Sequence, residues 1–234
     1  MKLILSDLDG TLLRATENRI SEKALNAISG LESKGIRFAI ASGRAISELW
    51  HLFSRVQDKM CFVACDGALI FEGEKLILDA PMQNIAQFDK AQSVLLQGRY
   101  MTYVKGQPAF VREMKLHYRG YTIEFESASE IEEPIYKAVV FDRAFQVQQL
   151  NMVYSDIRLA EYTAEGVNKG SATRFLLKHF GVDASEAMAF GDNTNDIPML
   201  LTVEHSVAVR NAKQAVLKIC KNTTDDVVQT IMSI

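Results

Sequence analysis

Residues 3–11 decide the fold of this 234-residue chain, and they read Leu3-Ile4-Leu5-Ser6-Asp7-Leu8-Asp9-Gly10-Thr11. A short apolar run followed directly by carboxylates predicts a buried strand that ends at Asp7. Two later apolar runs end in the same manner, one at Ser42-Gly43-Arg44 and one at residues 191–196. Amphipathic segments with helical spacing separate these runs. The sequence therefore predicts an α/β core built on a doubly wound, largely parallel sheet.

The middle of the chain has a different pattern. Several of its segments alternate apolar and polar residues, which is typical of an antiparallel sheet with one face in water. We expect a helix that includes Ile85, Phe88, Leu95 and Leu96, and a hairpin turning at Gly106. Further strands are predicted near residues 121–125, 138–141 and 157–162. Residues 1–80 and 162–234 are thus predicted to form the core, and residues 81–161 an inserted α+β cap.

Composition narrows the classes of function. Apolar residues make up 48% of the chain and charged residues 24%, as in ordinary globular proteins. The net charge of −3 provides no basic surface for nucleic acid or an anionic membrane. No apolar stretch reaches the roughly 18 residues of a membrane span, and Asp7 interrupts the first apolar run too early for a signal peptide. An odd count of three cysteines favours a reducing cytoplasm. We expect a monomer or small homo-oligomer.

The polar residues at the strand ends indicate phosphoryl chemistry. Carboxyl ends of parallel strands meet at one edge of a sheet, where ligands bind. Three or four carboxylates there are suited to Mg²⁺. Ser42, Lys169 and free backbone N–H groups are suited to a phosphate dianion. With the charge offset by the metal and the lysine, one of the carboxylates of Asp7 and Asp9 could attack phosphorus while the other handles the proton.

With these motifs in order, the sequence resembles the haloacid dehalogenase-like hydrolases, and in particular the Cof-type phosphatases with a large inserted C2-type cap. Residues 7–11 match the nucleophile loop of that family, and Ser42-Gly43-Arg44 match its phosphate-binding serine loop. Lys169 matches its lysine, and residues 191–196 match its acidic metal motif. The resemblance covers nearly the whole chain.

The resemblance implies roles for the acidic residues. Asp7 would be the nucleophile, forming an aspartyl-phosphate, and a ligand of Mg²⁺. Asp9 would protonate the leaving oxygen and then activate water, and its backbone carbonyl would also bind the metal. Asp192 would be the third protein ligand. Asp196 would hold metal-bound waters.

It also implies a set of residues around the phosphoryl group. Ser42, Gly43, Lys169 and Asn195 would hold the phosphoryl oxygens. We further expect Thr11, Arg44 and Asp66 to contact phosphate or substrate. Two of these positions have an alternative interpretation, because Arg44 could instead clamp a neighbouring carboxylate and Asp66 could instead form a turn.

Three positions depart from the family pattern. Asp66 precedes Gly67-Ala68 where the family usually has Asn-Gly-Ala. Arg210 stands before Asn211-Ala212 where small residues are usual, and Asp225-Asp226 replaces a common Asp-Gly. These differences bear on substrate preference or loop shape and remove no chemical step.

The function predicted first is therefore an Mg²⁺-dependent phosphatase acting on a small phosphorylated metabolite, with a sugar phosphate as the family-level expectation. A phosphomutase is an alternative, and it would need basic cap residues for a second phosphate. Lys105, Arg112, Lys115 and Arg119 are the candidates, although they lie among many glutamates. A phospho-acceptor signalling domain of receiver type is a third hypothesis, disfavoured because receivers are about half this length and lack both a cap and the second aspartate.

Overall fold

The computed structural model describes residues 1–14, 17–118, 121–142 and 145–234. In chain order its strands are β1 (Leu3–Asp7), β2 (Arg37–Ala41), β3 (Cys61–Ala64), β4 (Leu69–Glu72), β5 (Lys75–Asp79), β6 (Val94–Gly98), β7 (Thr102–Lys105), β8 (Thr122–Glu124), β9 (Ile135–Val140), β10 (Leu150–Ser155), β11 (Ala160–Ala164), β12 (Ala187–Gly191), β13 (His205–Val209) and β14 (Asn222–Thr224). Its α-helices are α1 (Glu22–Ser33), α2 (Ile46–Leu52), α3 (Pro108–His117), α4 (Lys169–Phe180), α5 (Ile197–Leu200), α6 (Gln214–Ile219) and α7 (Val227–Met232).

The larger of two sheets confirms the predicted doubly wound core. Its eight strands run in the order β14-β13-β12-β1-β2-β3-β4-β5. Strands from β14 to β3 are parallel, and β4 and β5 continue as antiparallel strands. The chain leaves β1 towards β2 on one side and returns beside it as β12 on the other. This reversal of strand order opens a crevice at the carboxyl end of β1, where ligands of such sheets bind.

Local sequence explains the elements that frame this crevice. All five residues of β1 are buried, which is typical of a strand covered on both faces. Ser21 caps α1 by accepting a hydrogen bond from the Ala24 N–H, and the helix buries its apolar stripe against the sheet. Helix α4 starts at the Asn168 cap and ends at Gly181, which has a φ of +62°.

The smaller sheet corrects two predictions for the middle of the chain. Its order is β10-β11-β9-β6-β7-β8, antiparallel apart from the parallel pair β7 and β8. The predicted helix through Leu95 and Leu96 is wrong, because these residues lie in β6, between β7 and β9. A short apolar run does not distinguish a buried strand from a helix. The predicted hairpin at Gly106 is also wrong, because Pro108 begins α3, a position that suits proline.

The two sheets are in contact through β9. Tyr136 of this strand is fully buried and belongs to the apolar core of the larger sheet. The last strand of the smaller sheet runs to Ala164, three residues beyond the expected boundary at 161. The division into a core and a cap stays a prediction. Within the described residues, no helix has the length and apolar character required to cross a membrane.

Candidate active site

Three carboxylates meet at the carboxyl end of β1. Asp7 ends that strand, Asp192 follows β12, and Asp196 precedes α5. Each offers an oxygen within 4.8 Å of the others. Asp7 and Asp196 are buried and Asp192 is half-buried. The structure thus brings together three of the four predicted metal ligands by their side chains, whereas the Asp9 carboxylate binds Arg44.

Lys169 lies between two of these carboxylates. Its Nζ donates to Asp7 Oδ1 at 2.5 Å and to Asp196 Oδ1 at 2.6 Å, and the residue is 1% exposed. The lysine occupies the first turn of α4, directly after the Asn168 cap. The next residue is Gly170, where a Cβ would lie 2.6 Å from the Pro198 carbonyl oxygen. This close approach of backbones fixes the start of the helix, and with it the ammonium.

The charges of the site fit a divalent cation. Burial and the neighbouring Asp196 raise the pKa of Asp7 well above its usual value, and Lys169 offsets this only in part. Burial also raises the pKa of Asp192. Three carboxylates and one ammonium leave two formal negative charges uncompensated when all four groups are ionised. Such a set of hard oxygen donors suits Mg²⁺, which would favour the ionised carboxylates.

Hydrogen bonds hold the acidic loop around Asp196. Its Oδ2 accepts from the backbone N–H groups of Asp192 and Asn193, both at 3.0 Å. Thr11 Oγ1 donates to Asp192 Oδ1 at 2.9 Å, so this predicted phosphate or substrate contact lies against a predicted metal ligand. Gly10 has a φ of +90°, and a Cβ there would lie 2.6 Å from Asp192 Oδ2. The loop after β1 therefore requires glycine at this position.

The serine loop after β2 faces the loop after β1. Ser42 is buried, and its Oγ accepts from the Arg44 N–H at 3.2 Å. Arg44 donates from Nε and Nη2 to the two oxygens of Asp9, at 2.8 and 2.6 Å. Arg44 therefore binds a neighbouring carboxylate, which is the alternative that the sequence left open for this residue.

Asp66 combines a turn with two polar contacts. It is fully buried in a left-handed conformation (φ +54°), between Cys65 (φ +49°) and Gly67 (φ +110°). Its Oδ1 accepts from Asn195 Nδ2 at 3.0 Å, and its Oδ2 accepts from Lys137 Nζ at 2.8 Å. Asp66 thus both shapes the turn after β3 and connects a predicted phosphate-binding residue to the smaller sheet.

Lys137 is a residue of this region that the sequence pattern did not predict. This lysine lies in β9, whose six residues are all buried. A single charge inside the run Ile135-Tyr136-Lys137-Ala138-Val139-Val140 was the available signal, because lysine is almost never fully buried without a partner.

The other two departures from the family pattern contact each other. Arg210 Nη2 donates to Asp225 Oδ2 at 2.7 Å, and both side chains are exposed. Asp226 caps α7 by accepting from the Gln229 N–H. Arg210 and Asp225 therefore connect the loops that follow β13 and β14.

Two of the four basic residues considered for a second phosphate, Lys105 and Lys115, have partners elsewhere, whereas Arg112 is exposed on α3. Lys105 Nζ donates to the carbonyl oxygens of Asp89 and Glu126, each at 2.7 Å. Lys115 pairs with Glu124. Arg119 lies outside the described residues. The two described lysines are thus engaged within the smaller sheet and its flanking segments.

A cavity of about 200 Å³ lies beside Lys169 and between the two sheets. Its lining includes Asp66, Lys169 and Asn195 from the larger sheet side, and residues 151–153 of β10 from the other. The cavity therefore adjoins the carboxylates and is lined by polar amides and a few apolar groups.

The chain is similar to known proteins in both sequence and fold. The family model described as haloacid dehalogenase-like hydrolase matches residues 4–230. A 5-amino-6-(5-phospho-D-ribitylamino)uracil phosphatase, YbjI of Escherichia coli K12, is 28% identical, with 94% of this chain and 89% of that protein covered. A phosphoglycolate phosphatase of Methanoculleus marisnigri is 28% identical, with 91% and 85% covered. A crystal structure from Eubacterium rectale has a TM-score of 0.89 at 24% identity, covering 100% of this chain and 98% of that one, which shows the shared fold.

Proposed function

The chain belongs to the haloacid dehalogenase-like hydrolases and is a phosphoric monoester hydrolase, and from this premise we propose that it is an Mg²⁺-dependent phosphatase of small phosphorylated metabolites that works through an aspartyl-phosphate on Asp7. The observation that carries the proposal is the cluster of Asp7, Asp192 and Asp196, two of them buried and Asp192 half-buried, with Lys169 between two of the three. This cluster brings the proposed nucleophile, the proposed metal ligands and a cation together, which supports the proposal.

Asp7 and Asp9 divide the work of the reaction in this proposal. An oxygen of Asp7 attacks phosphorus and forms the aspartyl-phosphate, while Asp9 gives its proton to the leaving oxygen. Asp9 then takes a proton from water as the water attacks the phosphorylated aspartate, which returns Asp7 as a carboxylate and releases phosphate. Arg44 binds both oxygens of Asp9 in the substrate-free structure. One of these two hydrogen bonds must break so that its oxygen can carry the proton, while the other keeps the carboxyl group oriented.

The remaining residues bind and neutralise charge. Asp7, Asp192 and the Asp9 backbone carbonyl would hold Mg²⁺, and Asp196 would hold its waters. When bound, the ion neutralises charge on the phosphoryl oxygens and on the crowded carboxylates. Ser42, Gly43, Lys169 and Asn195 bind the phosphoryl oxygens, with Thr11 holding Asp192 in place.

A sugar phosphate or related polyol phosphate is the proposed substrate class. The cavity beside Lys169 has the size of a small organic group and is rich in amides that bind hydroxyls. The two named relatives are phosphatases of small phosphate esters. We also propose a reducing cytoplasm as the location, because the cysteines are free and burial raises the pKa of Cys61 and Cys65 to about 12, which leaves them as unreactive packing groups.

The test is a panel of sugar, polyol and glycolate phosphates assayed for phosphate release with Mg²⁺ and with EDTA. We expect turnover of at least one neutral polyol or sugar phosphate, lost in EDTA and restored by Mg²⁺. Turnover that persists in EDTA would contradict the proposed metal dependence. Release from phosphoglycolate alone would contradict the proposed substrate class.

A further inference from the structure

Lys137 is a buried cation that reaches from the smaller sheet into the phosphate-binding region of the larger one. Its side chain is 4% exposed. The residue belongs to β9, whereas two of its partners, Asp66 and Gly43, follow β3 and β2. The contact therefore joins residues 71 and 94 positions apart.

Three acceptors satisfy the ammonium group completely. Lys137 Nζ lies 2.8 Å from Asp66 Oδ2, 2.7 Å from Glu161 Oε2 and 3.1 Å from the Gly43 carbonyl oxygen. A lysine ammonium has three N–H donors, so every donor has a partner within the protein. Burial opposes its charge, yet Asp66 and Glu161 outweigh this and raise the pKa of Lys137. A fully partnered ammonium is suited to fixing its neighbours rather than to taking up a ligand.

Two of those neighbours lead directly to the phosphate-binding residues. Gly43 is itself predicted to bind phosphoryl oxygens, and a Cβ there would lie 2.6 Å from Lys137 Nζ and 2.8 Å from Asp66 Oδ2. The serine loop thus packs without spare room against the ion pair. Asp66, through its other oxygen, accepts from the amide of Asn195. Lys137 therefore fixes the positions of Gly43 and Asp66, which belong to two separate loops.

The ion pair of Lys137 and Asp66 depends on the contact between the two sheets. Asp66 is fully buried, and Lys137 is brought to it by the smaller sheet. Moving that sheet away would leave a buried carboxylate without this partner, which is costly. Glu161, on the neighbouring strand β11, stays beside Lys137 within the smaller sheet.

We propose that Lys137 is a positioning residue of the phosphate site, which holds Gly43 and, through Asp66, Asn195 in place when the smaller sheet is seated on the larger one. This rests on the proposed phosphatase function. The smaller sheet then contributes to binding of the phosphoryl group itself, in addition to enclosing the rest of the substrate.

The test measures binding of inorganic phosphate in the presence of Mg²⁺ by calorimetry, together with the melting temperature. In Lys137→Met we expect the Kd for phosphate to rise about tenfold or more, because small displacements of binding groups are costly, and the melting temperature to fall. The double variant Asp66→Asn/Lys137→Met removes the fully buried charge that has lost its partner and leaves only that of Glu161, whose side chain is 20% exposed. Asparagine also suits the left-handed backbone at position 66. The melting temperature of the double variant should recover, while its Kd stays raised because Gly43 has lost its donor.

Lys105→Met is the matched control. The ammonium of Lys105 is likewise bound within the protein, but its partners are the carbonyl oxygens of residues 89 and 126, and neither belongs to the larger sheet. Its loss should lower the melting temperature and leave the Kd for phosphate within twofold of the wild type. A lysine that matters only for stability would give the same result at position 137.

Three outcomes would overturn the positioning role. The first is a Kd for phosphate in Lys137→Met within twofold of the wild type, and the second is recovery of both the Kd and the melting temperature in the double variant. The third is an equal loss of phosphate affinity in Lys105→Met. If Lys137→Met does not fold, the double variant decides alone by whether its Kd is raised.

Hydrolysis of p-nitrophenyl phosphate by the wild type separates the two proposals. A wild type that neither hydrolyses nor binds phosphate overturns both, whereas hydrolysis with an unchanged Kd in the variants overturns only the positioning role.

Discussion

Arg44 binds both carboxylate oxygens of Asp9, from Nε at 2.8 Å and from Nη2 at 2.6 Å. The contact joins the loop after β2 to the loop after β1, and it is made by a planar guanidinium whose fork matches a carboxylate. In the proposed mechanism Asp9 must deliver a proton along one direction. Arg44 holds the carboxyl group of Asp9 in that direction, through one hydrogen bond once the other oxygen has taken up the proton.

Substitution of Arg44 should therefore affect the rate more than stability. We expect Arg44→Met to lower kcat for p-nitrophenyl phosphate about ten- to a hundredfold, since a positioned acid–base group contributes about 10²–10⁴. Arg44→Lys should recover only part of this, because it keeps the charge without the fork. The free energy of unfolding should change by only about 1 kcal/mol, because the pair is partly exposed, with 32% of the Arg44 side chain and 52% of the Asp9 side chain open to water. Glu48→Gln, which removes a weaker contact of Arg44 at 3.9 Å, is the control; a kcat for Arg44→Met equal to that of Glu48→Gln would refute the role.

Thr11 should influence metal affinity through its hydrogen bond to Asp192. In Thr11→Val the hydroxyl donor is lost with little change in volume. We expect the Mg²⁺ concentration for half-maximal activity to rise about ten- to a hundredfold, as for other residues that orient metal ligands. Thr11→Ser keeps the donor and should stay close to the wild type. An equal shift in both variants would show that the methyl group matters instead.

Mg²⁺ should stabilise the protein through its crowded carboxylates. Burial and Asp196 raise the pKa of Asp7, so holding Asp7 ionised without a metal costs stability. We expect Asp7→Asn to melt at a higher temperature than the wild type in EDTA, and Mg²⁺ to raise the melting temperature of the wild type but not of the variant. Asp58→Asn, at an exposed acidic position, should follow the wild type. Equal stabilisation of all three proteins by Mg²⁺ would place the binding elsewhere.

The pH dependence of stability should distinguish Lys137→Met from the wild type. Lys137 and Lys169 hold the pKa of Asp66 below its ordinary 3.8 against the effect of burial, so the wild type keeps this stabilisation above pH 3.8 and loses it only at lower pH. Without Lys137, burial should raise that pKa. A raised carboxyl pKa costs stability progressively as the pH rises above 3.8. In urea unfolding, the free energy of unfolding of Lys137→Met should therefore be lower than that of the wild type, by an amount that grows between pH 4 and 7 towards about 3–5 kcal/mol. A difference in this free energy that does not depend on pH would contradict the prediction.

The residues around β1 were predictable from sequence for a geometric reason. Carboxyl ends of parallel strands share one edge of the sheet, so motifs after β1, β2 and β12 had to meet there. Asp7, Asp192, Asp196 and Lys169 do lie together. Their catalytic roles remain predictions.

The smaller sheet was harder to predict. Residues Val94–Gly98 are all buried and so lack the alternation that identifies an exposed-face strand. Lys137 was missed because its partners come from another sheet, and spacing along β9 gives no information about them. The pairing of Arg210 with Asp225 likewise joins distant loops, although the two residues were noticed separately as unusual.

The central claim is that Asp7 accepts the phosphoryl group. Its most direct test is hydrolysis of p-nitrophenyl phosphate with Mg²⁺ by the wild type and by Asp7→Asn, an isosteric change that replaces the nucleophilic carboxylate by an amide. We expect Mg²⁺-dependent turnover in the wild type and its abolition in the variant, with both proteins folded. Turnover that survives in Asp7→Asn would contradict the aspartyl-phosphate mechanism.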